Sequence, residues 1–335
     1  MSSNRANAAY PLDCAASVLS RVAVRTVATR RFPGPAFNDL RDVAILRLDE
    51  LELCCQGVHA LMVVGGEVVD RRILARCPDL MIVANVGVGH DAIDVPACDE
   101  RGVVVTNTPG VLDAATADLT FALLLACVRR VVEGDRLVRS REWKDRWGDA
   151  NLATEVSGAT LGIVGLGRIG RAVAQRAHGF SMRVLYHSRR RLSEATEREL
   201  GVSWRTLDDL LVQADVVSLH APLTSETENL VGRRELSFLR DGACLINTAR
   251  AGIVDEPALV RELTSGRLRA GLDVFAQEPG VPEVLLALDN VVLSPHLGSA
   301  TVSARHAMTR LAVENILAVG AGRPPLTPVS EAGTH

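Results

Sequence analysis

A chain of 335 residues is long enough for two domains, and a 47% hydrophobic content suffices for two cores. Its 37 basic and 40 acidic residues give a net charge of −3, with 3% aromatics and no basic run beyond Arg189–Arg191, so nucleic-acid binding has no footing. Seven cysteines at 14, 54, 55, 77, 98, 127 and 244 form no CxxC pair and no metal-type pattern with histidine; they read as reduced core thiols, and no metal is expected.

Residues 1–20 lack the apolar centre of a signal peptide and read as a loose tail. No apolar run reaches the roughly 18 residues a spanning helix needs, so no membrane partner is expected and the cytoplasm is the default. Strand patterns follow at Val22–Val27, Ala60–Val64, Met81–Ala84 and Val103–Thr106, with helical patterns at Asp70–Ala75 and Val95–Arg101 between them. Alternating strands and helices predict a parallel, doubly wound sheet with a ligand crevice beyond its carboxyl ends. Two glycine turns fall there, Gly65-Gly66 and Asn85–Gly89. They either end strands or offer free N–H groups to a small anion, and both readings stand at this point. Leu112–Val132 is helical and apolar over most of its surface, as in a helix buried between domains or subunits. The charged stretch Arg139–Ala150, with Trp143 and Trp147, reads as an exposed arm.

From Leu161 the pattern restarts. LGIVGLGRIG joins a buried strand to a helix through Gly165, Gly167 and Gly170. The first glycine permits the turn, the second lets backbone N–H groups approach a pyrophosphate, and the third lets helix and strand pack closely. The helix N-terminus favours the anion. Strands at Arg183–Tyr186, Val216–Leu219, Ala243–Ile246, Arg269–Val274 and Val291–Leu293 make a second parallel sheet of about six strands. A helix over Ser303–Gly320 and the segment Pro324–Pro328 close the pattern.

An acid about 20 residues after the glycine turn would bind the ribose 2′-hydroxyl of NAD. Ser188 occupies that place, followed by Arg189, Arg190 and Arg191. A hydroxyl and guanidinium groups suit a 2′-phosphate, so NADP(H) is favoured over NAD(H). Three polar residues follow strand ends of the second sheet: Arg250, Glu278 and His296. Together they supply an anchor for a carboxylate, a proton donor and a partner that holds the donor charged.

The segments IVANVGVGHDAIDV, VTNTPGVLDAATADLTFALLLA, GIVGLGRIG, LHAPLTSET, LINTARAGIVDE, GLDVFAQEP and NVVLSPHLGSAT occur in order. With them the chain resembles the D-isomer-specific 2-hydroxyacid dehydrogenases, most of all the glyoxylate/hydroxypyruvate reductases. The resemblance implies an α/β protein of two doubly wound parallel-sheet domains. A Rossmann domain (111–296) is inserted into a discontinuous flavodoxin-like substrate domain (1–110 plus 297–335). It further implies that Arg250 clamps the substrate carboxylate and keto oxygen, His296 protonates the carbonyl, and Glu278 bonds the imidazole. Asn85, Val86 and Gly87 fall where backbone groups receive the carboxylate. Cofactor contacts fall on Gly165, Gly167, Arg168, Ile169, Gly170, Ser188, Arg189, Arg190, His220, Ala221, Pro222 and Thr227. Those nearer the nicotinamide fall on Thr116, Thr248, Asp273, His296 and Gly298. A homodimer is implied through the apolar helix and the arm, with Trp143 or Trp147 reaching toward the neighbouring subunit.

The chain departs from the family pattern at Asp113-Ala114, at Ala251 after Arg250, at His90, and in its tryptophan spacing. These leave the particular keto acid open. Phosphite- or 3-phosphoglycerate-type dehydrogenases and a nicotinamide-sensing regulator are the alternatives. A sensor has no need of Arg250, Glu278 and His296 together, and the formate enzymes of this fold carry glutamine where Glu278 stands.

Overall fold

The computed structural model describes residues 24–53, 55–144, 148 and 152–329. The first sheet contains β1 (Arg25–Ala28), β2 (Asp42–Ile45), β3 (Ala60–Val63), β4 (Ile82–Asn85) and β5 (Val104–Thr106), all parallel, in the order β2-β1-β3-β4-β5. This is the flavodoxin-like order. The second contains β6 (Thr160–Val164), β7 (Arg183–His187), β8 (Val202–Trp204), β9 (Val216–Leu219), β10 (Cys244–Asn247), β11 (Arg269–Leu272) and β12 (Val291–Leu293). Its order, β12-β11-β10-β9-β6-β7-β8, is the Rossmann arrangement extended by one strand, with the switch point between β6 and β9.

Near-continuous apolar strands are the mark of a parallel sheet covered on both faces. Alternate residues of one strand accordingly enter different cores. Val27, Leu61, Val63 and Val83 pack on one face of the first sheet, and Ala28, Ala60, Met62, Ile82 and Ala84 on the other. In the second sheet Leu161 and Ile163 face one core while Val164, Val217 and Leu219 face the opposite one. The helix Val302–Gly320 closes the second face of the first sheet through Ala304, Met308, Ala312 and Ile316. The segment after it runs back along β5: Val329 N–H donates to Val105 O at 2.8 Å, and Thr106 bridges Pro328 antiparallel.

Several expectations need correction. The first sheet has β2 in addition to the four strands read from sequence, and the second has β8, making seven strands instead of six. Both are short edge strands with incomplete burial. The first strand begins at Arg25 and ends at Ala28; residues 22 and 23 lie outside the described set. The stretch Leu112–Val132 is two helices, Asp113–Val128 and Val131–Arg139, broken at Arg130 in the left-handed region (φ 54°). The first of them packs on β10, β11 and the helix Arg168–Gly179, so it belongs to the core of the second domain. Trp147, Cys14 and Cys54 lie outside the described residues. The five described cysteines are buried and unpaired by disulfides. Burial pushes Cys77 up to about 12 and Cys98 up to about 11, which leaves both as inert thiols.

Candidate active site

The glycine turn has the shape its residue types demand. Gly165 sits at φ 96°, and a β-carbon there would lie 2.6 Å from Ala221 N. One on Gly170 would overlap the Gly165 carbonyl oxygen, whereas nothing lies within 4 Å of the place a β-carbon on Gly167 would take. Gly167 caps the helix Arg168–Gly179 without any side-chain hydrogen bond. The first N–H groups of the helix therefore point at open space, the arrangement that receives a phosphate. Arg168 opens that helix and lies near Asp113, whose carboxyl burial pushes up against the opposing pull of Arg168. Ile169 packs against cores of both sheets and braces the turn between them.

At the end of β7, Ser188 Oγ donates to Arg190 O at 2.7 Å, and Arg189 pairs with Glu226 at 3.0 Å, both side chains exposed. Arg191 is committed elsewhere: its guanidinium donates twice to Glu197, at 2.8 and 3.0 Å, and Glu197 also accepts from Tyr186. This buried carboxylate braces the loop and leaves Ser188, Arg189 and Arg190 at its rim. After β9, the His220 imidazole shares a proton with Ser218 Oγ at 2.8 Å, and burial pushes its pKa down to about 3, so the ring is neutral. Thr227, expected among the cofactor contacts, spends its hydroxyl within the loop, donating to Pro222 O and accepting from Thr224 N–H at 2.6 and 2.8 Å.

Arg250, Glu278 and His296 follow β10, β11 and β12, three neighbouring parallel strands. His296 Nδ1 lies 2.7 Å from Glu278 Oε2. A carboxylate only accepts, so Nδ1 carries the proton and Nε2 is the nitrogen left for a ligand. Glu278 is itself fixed by Phe275 N–H at 3.1 Å. The His296 backbone is left-handed (φ 54°) and is held there by its N–H, which reaches both Asp273 O and Ser294 O at 3.0 Å. Such conformations persist where the surroundings over-determine them, commonly at functional sites. Asp273 completes the support, accepting from Leu297 and Gly298 N–H at 2.7 and 2.8 Å. Burial pushes its carboxyl up despite those donors. A β-carbon on Gly298 would crowd Asp273 Oδ2 at 3.3 Å and Thr116 at 3.4 Å, so these three residues form one wall. Thr248 and Thr120 share a hydrogen bond of 2.9 Å beneath them.

Arg250 reaches across to the first domain. Its Nε donates to Asp91 Oδ1 at 2.8 Å and its Nη1 to Ala249 O at 2.8 Å. Asn247, buried at the end of β10, clamps this turn by donating to Arg250 O and accepting from Ala249 N–H. Ala251, where the family more often has glycine, keeps an ordinary negative φ, so that departure leaves the turn unstrained. In the Asn85–Gly89 loop one expectation changes. Val86 N–H donates to Val63 O at 2.7 Å and is not open to a ligand. Asn85 shapes the loop, its amide donating to Gly87 O and Gly89 O at 3.3 and 2.8 Å. Among the described residues nothing accepts from the N–H groups of Gly87, Val88 or Gly89. Asp91 was missed from sequence; an acid two residues beyond the last glycine of a ligand-facing turn was the available signal.

The family profile described as D-isomer specific 2-hydroxyacid dehydrogenase, NAD binding domain, matches residues 121–298. The chain belongs to the D-isomer-specific 2-hydroxyacid dehydrogenases. It is thus an NAD(P)-dependent oxidoreductase of that family. It is 50% identical over 278 residues to a glyoxylate reductase of Pyrococcus horikoshii, covering 82% of this chain and 83% of that one. A crystal structure of a Thermus thermophilus protein matches with a TM-score of 0.85 and 45% identity, over 91% of this chain and 100% of that chain. An NADPH-dependent glyoxylate/hydroxypyruvate reductase of Sinorhizobium meliloti, solved with NADP and malonate, matches with a TM-score of 0.81 and 35% identity, over 92% and 97% of the two chains. Among the described residues no helix is long and apolar enough to cross a membrane.

Proposed function

We propose that the protein reduces a small 2-keto acid of the glyoxylate or hydroxypyruvate class to the D-2-hydroxy acid, with NADP(H) favoured over NAD(H). The observation that carries this reading is the His296–Glu278 pair, 2.7 Å apart, set beside Arg250 at the ends of three adjacent strands. A planar carboxylate matches the donors that Arg250 has left on Nη1 and Nη2, together with the open N–H groups of Gly87, Val88 and Gly89. Bound at the Gly165–Gly170 turn, the nicotinamide cofactor supplies hydride. His296 Nε2 gives a proton to the carbonyl oxygen as negative charge develops there, and Glu278 stabilises the imidazolium that donates it. Asp273, Thr116 and Gly298 form the wall beside that reaction, and Asp273 sets the turn that carries His296.

The preference for NADP(H) rests on Ser188 standing where an acid would meet the ribose, with Arg189 and Arg190 following. The S. meliloti reductase, bound to NADP, supports the same assignment. We assign residues 1–110 and 297–335 to the substrate domain, and 111–296 to the cofactor domain. A homodimer is proposed through the helix Val131–Arg139 and the arm, where Val131, Val138, Trp143 and Leu152 are all more than half exposed, at 56, 57, 56 and 66%. The cytoplasm is its proposed location.

Cofactor oxidation followed by absorbance with glyoxylate, hydroxypyruvate, pyruvate and bulkier 2-keto acids tests the assignment. The expected result is the highest kcat/KM with the two smallest polar acids, larger with NADPH than NADH, and a diminished NADPH advantage in Arg189→Ala. Absence of turnover with every acid would sink the reading. A strong NADH preference in the unmodified protein would remove the cofactor assignment alone.

A further inference from the structure

We propose that Asp91 is a positioning residue for the reaction: it fixes the Arg250 guanidinium in the orientation that receives the substrate carboxylate. The proposal rests on the keto-acid reading above. Arg250 comes from the second domain and Asp91 from the first, and they meet through Nε and Oδ1 at 2.8 Å with side chains only 24 and 25% exposed. An ion pair this sheltered is screened far less than a surface pair. The contact uses Nε and leaves the Nη2 edge free. That edge lies over the glycine turns: a β-carbon on Gly89 would overlap Arg250 Nη2, and one on Gly65 would sit 3.7 Å from it. The free donors of the guanidinium therefore lie over the same turn in which the N–H groups of Gly87, Val88 and Gly89 are left open.

Asp91 is well built for this task because its own loop is pinned on two sides. Asn85 holds the Gly89 carbonyl at 2.8 Å. On the other side Val69 N–H donates to Ala92 O at 3.0 Å, and Asp94 N–H donates to Val69 O at 2.9 Å. A rotamer-rich arginine with Nε unpaired samples many orientations, and freezing one on substrate binding costs affinity. With Nε held by a rigid acceptor, that cost is met before the substrate arrives. The same contact ties the loop that supplies backbone donors to the loop that supplies the guanidinium, so both parts of the carboxylate site are set in one geometry.

The test compares Asp91→Ala and Asp91→Asn with the unmodified full-length protein. Steady-state kinetics with glyoxylate, oxalate binding in the presence of NADPH, and NADPH affinity by nicotinamide fluorescence are read together. Asp91→Ala is expected to raise KM for glyoxylate and weaken oxalate binding by roughly 10- to 100-fold, the scale of a lost hydrogen bond to a charged group. NADPH affinity and Tm should stay near their unmodified values. Asp91→Asn, which keeps an oxygen acceptor for Nε, should recover most of the loss. Unchanged glyoxylate KM and oxalate affinity in Asp91→Ala would overturn the proposal. So would a loss shared equally by NADPH affinity and Tm, the mark of a merely structural role. If the unmodified protein turned over no keto acid, the functional reading would fall, while weakened oxalate binding in Asp91→Ala would still support Asp91. Failure of the unmodified protein to bind oxalate would overturn both.

Discussion

Replacing Gly89 by alanine attacks the substrate site through a single methyl group. Gly89 does not occupy the left-handed region, so the backbone accepts alanine, and the damage falls on what the new carbon meets. It would stand 2.7 Å from Arg250 Cζ and 3.0 Å from Asp91 Oδ1. Its nearest clash is with Arg250 Nη2, which it would overlap, and carbon atoms rest at about 3.5 Å or beyond, so the guanidinium must retreat by more than about 1 Å. A retreat of that size breaks the 2.8 Å bond to Asp91. It also carries Nη2 away from the carboxylate position, and misplacement on this scale costs on the order of 100-fold in rate. The obstacle is the end of a flexible side chain, so Arg250 moves and the fold survives. Gly89→Ala is accordingly expected to lower kcat/KM for glyoxylate about 100-fold, with Tm and NADPH affinity nearly unchanged. Steady-state kinetics, thermal melts and cofactor titration measure the three quantities. A keto-acid kcat/KM within a factor of about two of the unmodified protein would refute the placement of Arg250 over Gly89 and its role as carboxylate anchor.

Glu278→Gln keeps the size of the side chain but removes its charge, and its single amide oxygen can accept from His296 Nδ1–H or from Phe275 N–H but not from both. Kcat for reduction is expected to fall by roughly 100-fold, within the range general acid catalysis supplies, and an unchanged kcat would dismiss Glu278 as the partner of the proton donor. His220 provides a stability test. Its folded pKa is pushed from 6.5 to about 3 by burial, so the unfolded chain takes up the proton first as pH falls, and native stability is lost progressively between those values. His220→Gln should therefore flatten the acid-side decline of Tm over that interval; an identical slope would show that His220 contributes nothing to it. Val138→Asp places a charge on the exposed apolar face proposed for the dimer, and sedimentation should report a shift toward monomer. A dimer of unaltered stability would move the interface elsewhere.

The sequence made the backbone legible where a close approach left few residue choices. Gly165 and Gly170 are fixed by close approach of Ala221 and of the Gly165 carbonyl, and both were readable as a motif. The places of Arg250, Glu278 and His296 were readable because each follows an apolar strand run, and these strands lie side by side. Short edge strands were not: β8 is only three residues with a serine at its centre, and the four-residue apolar run Val43–Leu46 around β2 is brief, flanked by charges and left partly exposed at the sheet edge. The break at Arg130 was hidden as well, because apolar residues resume at Val131 directly after the Arg129-Arg130 pair, and arginine is not a residue that marks a left-handed backbone. Hydrogen-bond accounting was beyond reach of pattern. The sequence cannot tell that Val86 N–H is spent on Val63 or that Thr227 is spent on Pro222. Asp91 escaped because its partner lies 159 residues away in the chain.

The helix Val302–Gly320 and the strands it covers lie at opposite ends of the polypeptide, and this sets an order on biosynthesis. On a ribosome, Ala28, Met62, Ile82 and Ala84 emerge long before Ala304, Met308, Ala312 and Ile316, the residues that shield them. At ordinary elongation rates the interval is roughly ten to forty seconds. Within it the strands of the second sheet emerge one after another, the last at Val291–Leu293, while one face of the first sheet is left bare and open to chaperones. All seven strands of the second sheet are therefore synthesised before the first sheet is covered on that face.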